Sequence, residues 1–139
     1  MNFKEKYETV IGLEVHVQLS TKSKAYCSDP NIFGEPPNTC ISPISAGYPG
    51  TLPKINKEVI KSAVKLGLAL NCDITEYNLY ARKNYFYPDL PKGYQITQDK
   101  TPICTGGYVN IKSPTQKKIA LTRIHMEEDA GKSIHDLDP

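Results

Sequence analysis

The sequence predicts an α+β fold, with a mostly antiparallel or mixed sheet and few helices. Three observations predict it. One segment alone carries an apolar stripe at helical spacing. Two others alternate apolar and polar residues with period two. Eleven prolines and nine glycines are spread through the 139 residues, which favours many short elements joined by turns over a helix bundle.

The first element expected is a strand over Val10–Leu19, where Leu13, Val15, Val17 and Leu19 alternate with Glu14, His16 and Gln18. Residues two apart on a strand point the same way, so Glu14 and His16 share the polar face. A turn follows at Thr21–Lys24. Cys27–Pro53 is rich in Pro, Gly, Asn and Ser and reads as a long loop, because proline removes backbone donors and fixes φ. A loop of that length inside a domain is usually functional or mobile.

The one helix is expected over Asn56–Leu70. Asn56 suits the N-cap and Glu58 the positive end of the helix dipole. Ile55 and Ile60 are spaced for a hydrophobic staple. Ile60, Ala63, Val64, Gly67 and Leu68 form the apolar stripe, and Asn71 is the stop. Tyr80–Tyr87 reads as extended and aromatic, and Pro88–Gly93 as a loop. Short strands are expected at Tyr94–Thr97 and Gly107–Ile111. Lys118–Met126 alternates again and runs into the acidic cluster Glu127-Glu128-Asp129.

The length suits one domain with a real core. Hydrophobic residues are 39% and charged residues 23%, values that do not suggest disorder. A net charge of +2 is too small to argue for nucleic-acid binding on electrostatics. No apolar run approaches the roughly 20 residues of a membrane span, and the polar opening residues lack the apolar stretch of a signal peptide. A cytoplasmic location, or an organelle matrix, is expected. Cys27, Cys40, Cys72 and Cys104 contain no C-x-x-C pair, so free, mostly buried thiols are expected in place of zinc or disulfides.

Three clusters can carry chemistry. Glu14 and His16 could share a hard divalent cation or pass a proton; the plainer reading is a solvated polar strand face. Glu127-Glu128-Asp129 repel one another unless a cation or basic neighbours compensate; the plainer reading is an exposed strand end. Lys83, Tyr85 and Tyr87 share a strand face and offer a cation and phenols to a nucleotide or substrate, although strand aromatics more often serve packing. Gly131-Lys132-Ser133 ends as a P-loop would, but the Walker pattern needs a glycine where Met126 stands. Lys132 is left as an isolated charge that could face phosphate.

Three long segments, in order, then carry a resemblance. They are Val10-Ile11-Gly12-Leu13-Glu14-Val15-His16-Val17-Gln18-Leu19, the run from Arg82 to Ile96, and the run from Thr122 to Ser133. The chain resembles the B subunits of aspartyl/glutamyl-tRNA amidotransferases over nearly all of its length. The resemblance implies the N-terminal part, 1–139, of a cradle-like catalytic domain with a glutamine synthetase-like fold. It also implies Mg²⁺ and ATP, and a reaction that phosphorylates the side-chain carboxylate of Glu-tRNA(Gln) or Asp-tRNA(Asn). Ammonia, released from glutamine by an amidase A subunit, would then give Gln-tRNA(Gln) or Asn-tRNA(Asn). A small C subunit completes the implied heterotrimer of this carbon–nitrogen ligase, which serves translation.

Carried over position by position, His16 and Glu128 resemble the family's metal ligands, with Glu14 beside them and Glu127 and Asp129 behind. Lys83 and Tyr85 resemble residues lining the active site or ammonia route. Lys132 and Ser133 resemble nucleotide or phosphate contacts. Two departures stand out. Many family members carry zinc-binding cysteines as C-x-C and C-P-x-C in the first long loop. Here those places read Cys27-Ser28-Asp29 and Ser42-Pro43-Ile44-Ser45, which speaks against zinc. The chain is also short for the family. A fragment lacking the C-terminal helical and tail tRNA-binding domains is expected, inactive by itself. A module that only docks partners or RNA, and a metal-dependent hydrolase, are the alternative readings.

Overall fold

A computed structural model describes residues 6–133; the stretches 1–5 and 134–139, which hold the polar start and the end expected of a fragment, lie outside the described residues. Helix α1 spans Lys57–Ala69. The strands are β1 (Asp73–Ile74), β2 (Ala81–Asn84), β3 (Tyr94–Thr97), β4 (Cys104–Thr105), β5 (Tyr108–Ile111), β6 (Lys117–Ala120) and β7 (Arg123–Ile124). They form three small sheets, β1-β4-β7, β2-β3 and β5-β6. Every pairing among them is antiparallel. The α+β expectation therefore holds, with no parallel pairing among the described strands.

Helix α1 starts where its cap chemistry requires. The Asn56 side chain accepts from Glu58 N at 2.9 Å, while its Nδ2 donates to Ser23 O and Ser23 Oγ, each at 3.0 Å. One asparagine thus caps the helix and ties it to the chain 33 residues upstream. At the other end Asn71 takes a left-handed φ of 56°. Cys72 N then donates to Gly67 O at 2.9 Å and Asn71 N to Leu68 O at 3.3 Å. This is the Schellman arrangement, which satisfies carbonyls the last turn would otherwise leave bare.

The buried face of α1 is Val59, Ala63 and Gly67. The expected stripe holds at Ile60, Ala63, Val64 and Gly67 and fails at Leu68, which is exposed, while Val59 joins the core. The core cluster joins Val59 and Ala63 to Cys72, Ile103, Cys104 and Met126. Gly67 lets α1 lie directly on β4, since a Cβ there would overlap Cys104 Sγ. All four cysteines are free, three of them buried.

Two strand expectations are corrected. Val10–Leu19 forms no strand. Leu13, Val15 and Val17 are 87%, 84% and 64% exposed. Alternation prepares a strand, but a ladder also needs a neighbouring backbone, and none pairs with this segment among the described residues. The second expected strand, Lys118–Met126, is broken into β6 and β7. Its partner bends at Gly106 and Gly107, which have φ of 65° and 91°. Gly106 N donates to Thr122 O at 3.1 Å and Leu121 N to Gly107 O at 3.0 Å, carrying the pairing around the corner from one sheet to the next. The aromatic stretch Tyr80–Tyr87 contributes only β2 at its centre, and Phe86 is 93% exposed.

Candidate functional site

Strand β3 is the buried floor of the site: Gln95, Ile96 and Thr97 are each about 6% exposed. The acidic segment after β7 runs beside it. Glu128 N donates to Ile96 O at 3.0 Å, and Ile96 N donates back to Glu128 Oε1 at 2.8 Å. Lys92 Nζ binds the same carboxylate oxygen at 2.6 Å. The Gln95 amide also donates to Glu128 O. Glu128 is thus clamped to the floor by backbone, amide and ammonium together, and its charge is met by a lysine whose side chain is 13% exposed.

The clamp sets the direction of its neighbour. Glu127 meets His16 Nδ1 at 3.5 Å through Oε1, and His125 Nε2 at 3.4 Å through Oε2. Thr97 Oγ1 lies 3.3 Å from the same Oε2. Glu14 Oε1 is 3.7 Å from His16 Nε2, so the imidazole stands between two carboxylates. The expected meeting of His16 with Glu128 is therefore replaced by His16 with Glu127. Adjacent residues of an extended segment face opposite ways, and Glu128 is the one drawn to Lys92 and Ile96 N.

Lys83 lies over the Tyr85 ring. The Tyr85 phenol holds its ammonium above the usual lysine range; burial opposes this, and the carboxylates of Glu127 and Glu14 add smaller support. Tyr85 donates from its hydroxyl to Gln95 Oε1 at 2.5 Å. The Tyr85 and Tyr87 rings lie 6.4 Å apart. Lys83 is exposed and Tyr85 half-buried, as a cation aimed at solvent and supported from below should be. Lys132 is exposed, and Ser133 N donates to Asp89 O at 2.7 Å, placing that segment against the loop after Tyr87. Asp129 is exposed.

The structure thus brings Glu14 and His16 together with Glu127, while Lys83 Nζ lies over the Tyr85 ring, 5.4 Å from its centroid. Sequence reasoning missed His125 and Thr97. His125 was legible: it stands two residues before Glu127, the same spacing that paired Glu14 with His16. Thr97 was not, since its place follows from tertiary packing alone. Among the described residues no three His, Cys, Asp or Glu side chains lie close enough to hold a metal by themselves. The donor chemistry still fits Mg²⁺, which often takes only one or two carboxylates and fills its shell with phosphate oxygens and water.

Comparison with known proteins adds an independent finding. Residues 9–139 match the family model described as GatB/GatE catalytic domain. Three curated relatives are B subunits of aspartyl/glutamyl-tRNA(Asn/Gln) amidotransferases. The chain is 54% identical to the one from Salinibacter ruber, covering 94% of this chain and 28% of the relative. It is 56% identical to the one from Thermodesulfovibrio yellowstonii, covering 94% of this chain and 28% of the relative. It is 58% identical to the one from a Synechococcus strain, covering 95% of this chain and 27% of the relative. The chain therefore spans little more than a quarter of the length of these curated relatives.

Proposed function

The chain belongs to the GatB/GatE catalytic domain family, and on that footing we propose that it supplies part of the site where a tRNA-dependent amidotransferase activates a carboxylate with ATP. The substrates would be Glu-tRNA(Gln) or Asp-tRNA(Asn), the product the corresponding amide, and the nitrogen source glutamine. An amidase A subunit and a small C subunit would be the partners, and the whole domain would adopt the glutamine synthetase-like cradle. The observation that carries this reading is the gathering of two carboxylates, Glu14 and Glu127, with two imidazoles, His16 and His125, from the opening and closing parts of the sequence.

The chemistry asks for such a group. A carboxylate is a poor electrophile, and transferring a phosphoryl group to it provides a leaving group for ammonia. The protein's task is to position both reactants and balance charge. His16, Glu14 and Glu127 would be the groups offered to Mg²⁺; when bound, that ion would offset the negative charge of the nucleotide phosphates. Lys83, whose charge Glu127 and Glu14 favour, would neutralise charge on the transferring phosphoryl group. Tyr85 lies under the Lys83 ammonium and is itself fixed by Gln95. Lys132 and Ser133 would contact the nucleotide from the loop side. Glu128 acts through its neighbour: its clamp to Ile96 and Lys92 fixes where Glu127 points. Ammonia must arrive unprotonated to attack, which favours a route away from bulk water.

The test compares Glu127→Gln with Glu128→Gln in the full-length protein assembled with its partner subunits, reading phosphate release from ATP that depends on mischarged tRNA. Glu127→Gln should lower release about a hundredfold or more, as loss of a group that meets reaction charge does, while costing less than about 1 kcal/mol in stability. Wild-type release by that variant would sink the proposal.

A further inference from the structure

The first long loop closes on a buried carboxylate. Asp29 is 8% exposed. Its Oδ2 accepts from Ser42 N at 2.9 Å and from the Ser45 hydroxyl. Ser45 Oγ also lies 3.3 Å from Cys27 Sγ. Burial pushes the Asp29 carboxyl upward, but hydrogen bonds from Ser45, Cys27 and Ser42 outweigh it and hold the group below its usual range. The strand-like ends around it are pinned as well. Lys24 N donates to Asp29 O at 3.0 Å, and Lys24 Nζ reaches Cys40 O. The turn beyond is built by Ala46 N to Ser42 O at 2.9 Å and Tyr48 N to Pro43 O at 2.9 Å.

These four residues occupy the spacing at which a C-x-C and a C-P-x-C pair would grip zinc. The donors present do not fit that ion. Structural zinc takes four ligands drawn from thiolate, imidazole and carboxylate. Here there is one thiol and one carboxylate, and the carboxylate oxygen turned inward is already engaged by two donors. The remaining two are neutral serine hydroxyls.

We propose that in this chain the Asp29 carboxylate, bonded by the Ser42 backbone N–H and by the Ser45 hydroxyl, which also meets Cys27, fastens the loop as a metal-independent clasp at the place where a zinc tetrathiolate would otherwise sit. The four positions converge whether or not a metal is there. One ionised group bonded by two neighbours, the second of which also meets Cys27, does the cross-linking that four metal bonds would do. The inference does not depend on the reaction proposed above.

The experiment uses the full-length protein, purified without metal-affinity steps. Elemental analysis should show far less than one zinc per chain, and excess chelator should leave the rate of limited proteolysis in the loop unchanged. Stoichiometric zinc, or chelator-induced cleavage, would overturn the clasp. Asp29→Ala should speed cleavage between Cys27 and Tyr48 by about ten- to a hundredfold, the range expected on removing a buried charged hydrogen-bond acceptor; an unchanged rate would also overturn it. The combined substitution Asp29→Cys, Ser42→Cys and Ser45→Cys should bind one zinc or cobalt per chain, with the thiolate-to-cobalt absorption of a tetrahedral site. If the folded triple variant bound no metal, the convergence of the four positions would be refuted. Should it fail to fold, the wild-type metal content and the Asp29→Ala cleavage rate still decide the matter.

Discussion

The opening segment 10–19 and the closing segment 123–129 share a pattern and differ in fate. Both alternate apolar and polar residues, and both bring a histidine and a carboxylate two residues apart to the same site. The closing segment is held by β4, by Ile96 and by Lys92. The opening segment leaves Leu13 and Val15 more than four-fifths exposed. Period two therefore states what a segment can do. The neighbours that offer it backbone and cover decide whether it does so. Half of the candidate site stands on a rigid floor, and the other half is carried by a strip with few anchors.

Gln98 is the sharpest way to break the difference. It is 1% exposed, accepts from Ile103 N at 3.1 Å and Met126 N at 3.2 Å, and donates to Asn78 Oδ1 at 2.8 Å. Gln98→Ala strands two buried backbone donors and a half-buried amide oxygen and should cost about 3–5 kcal/mol in denaturant unfolding. A loss of only a few tenths would mean that the closing segment is held by something else. Removing the clamp is the next largest step. Glu128→Ala leaves Lys92 and Ile96 N unpaired and should cost about 2–3 kcal/mol, whereas Glu127→Gln should cost less than about 1 kcal/mol. Equal costs would erase the division of labour between these neighbours.

The 27–48 loop lies between the two extremes, and acid separates it from both. Because Asp29 has a lowered carboxyl pKa in the folded chain, the unfolded chain binds its proton more readily. Its contribution to stability is complete above the ordinary aspartate range and falls away as pH drops through the lower folded value. The stability gap between wild type and Asp29→Asn should be flat near neutrality and shrink in acid. A gap that instead widened in acid would reverse the sign. The smallest effect belongs to the opening segment: Leu13→Ser should change the stability of this chain by no more than about 0.5 kcal/mol, as substitutions at exposed positions do. A change of several kcal/mol would show that the segment is covered after all.

Much of this was legible in the residues, and the rest was not, for reasons of distance along the chain. The helix could be read because its signals are local: Asn56 caps it, Glu58 follows, and Asn71 stops it. The stripe was misjudged at Leu68 and Val59 because the two are equally apolar, and only the approach of β4 over Gly67 picks the face. Glu14, His16 and Lys83 were found by strand alternation, since i and i+2 neighbours need no tertiary knowledge. The choice between Glu127 and Glu128 needed Lys92, some 36 residues earlier, and the backbone of Ile96. Gly106 and Gly107 were visible as glycines, but their role in splitting one expected strand between two sheets depends on Thr122 and Leu121 lying opposite.

The reciprocal bonding of Glu128 with Ile96 also makes the site sensitive to counting. Inserting a single residue between Ile124 and Glu127 would slide the acids by one notch along β3. The carboxylate that faces the histidines would then drop into the lysine's grip, and the one now gripped would swing out or leave the site altogether. Swapping one amino acid for another here should be gentler than any insertion or deletion, because the arrangement stores its accuracy in chain phase and not only in side-chain identity.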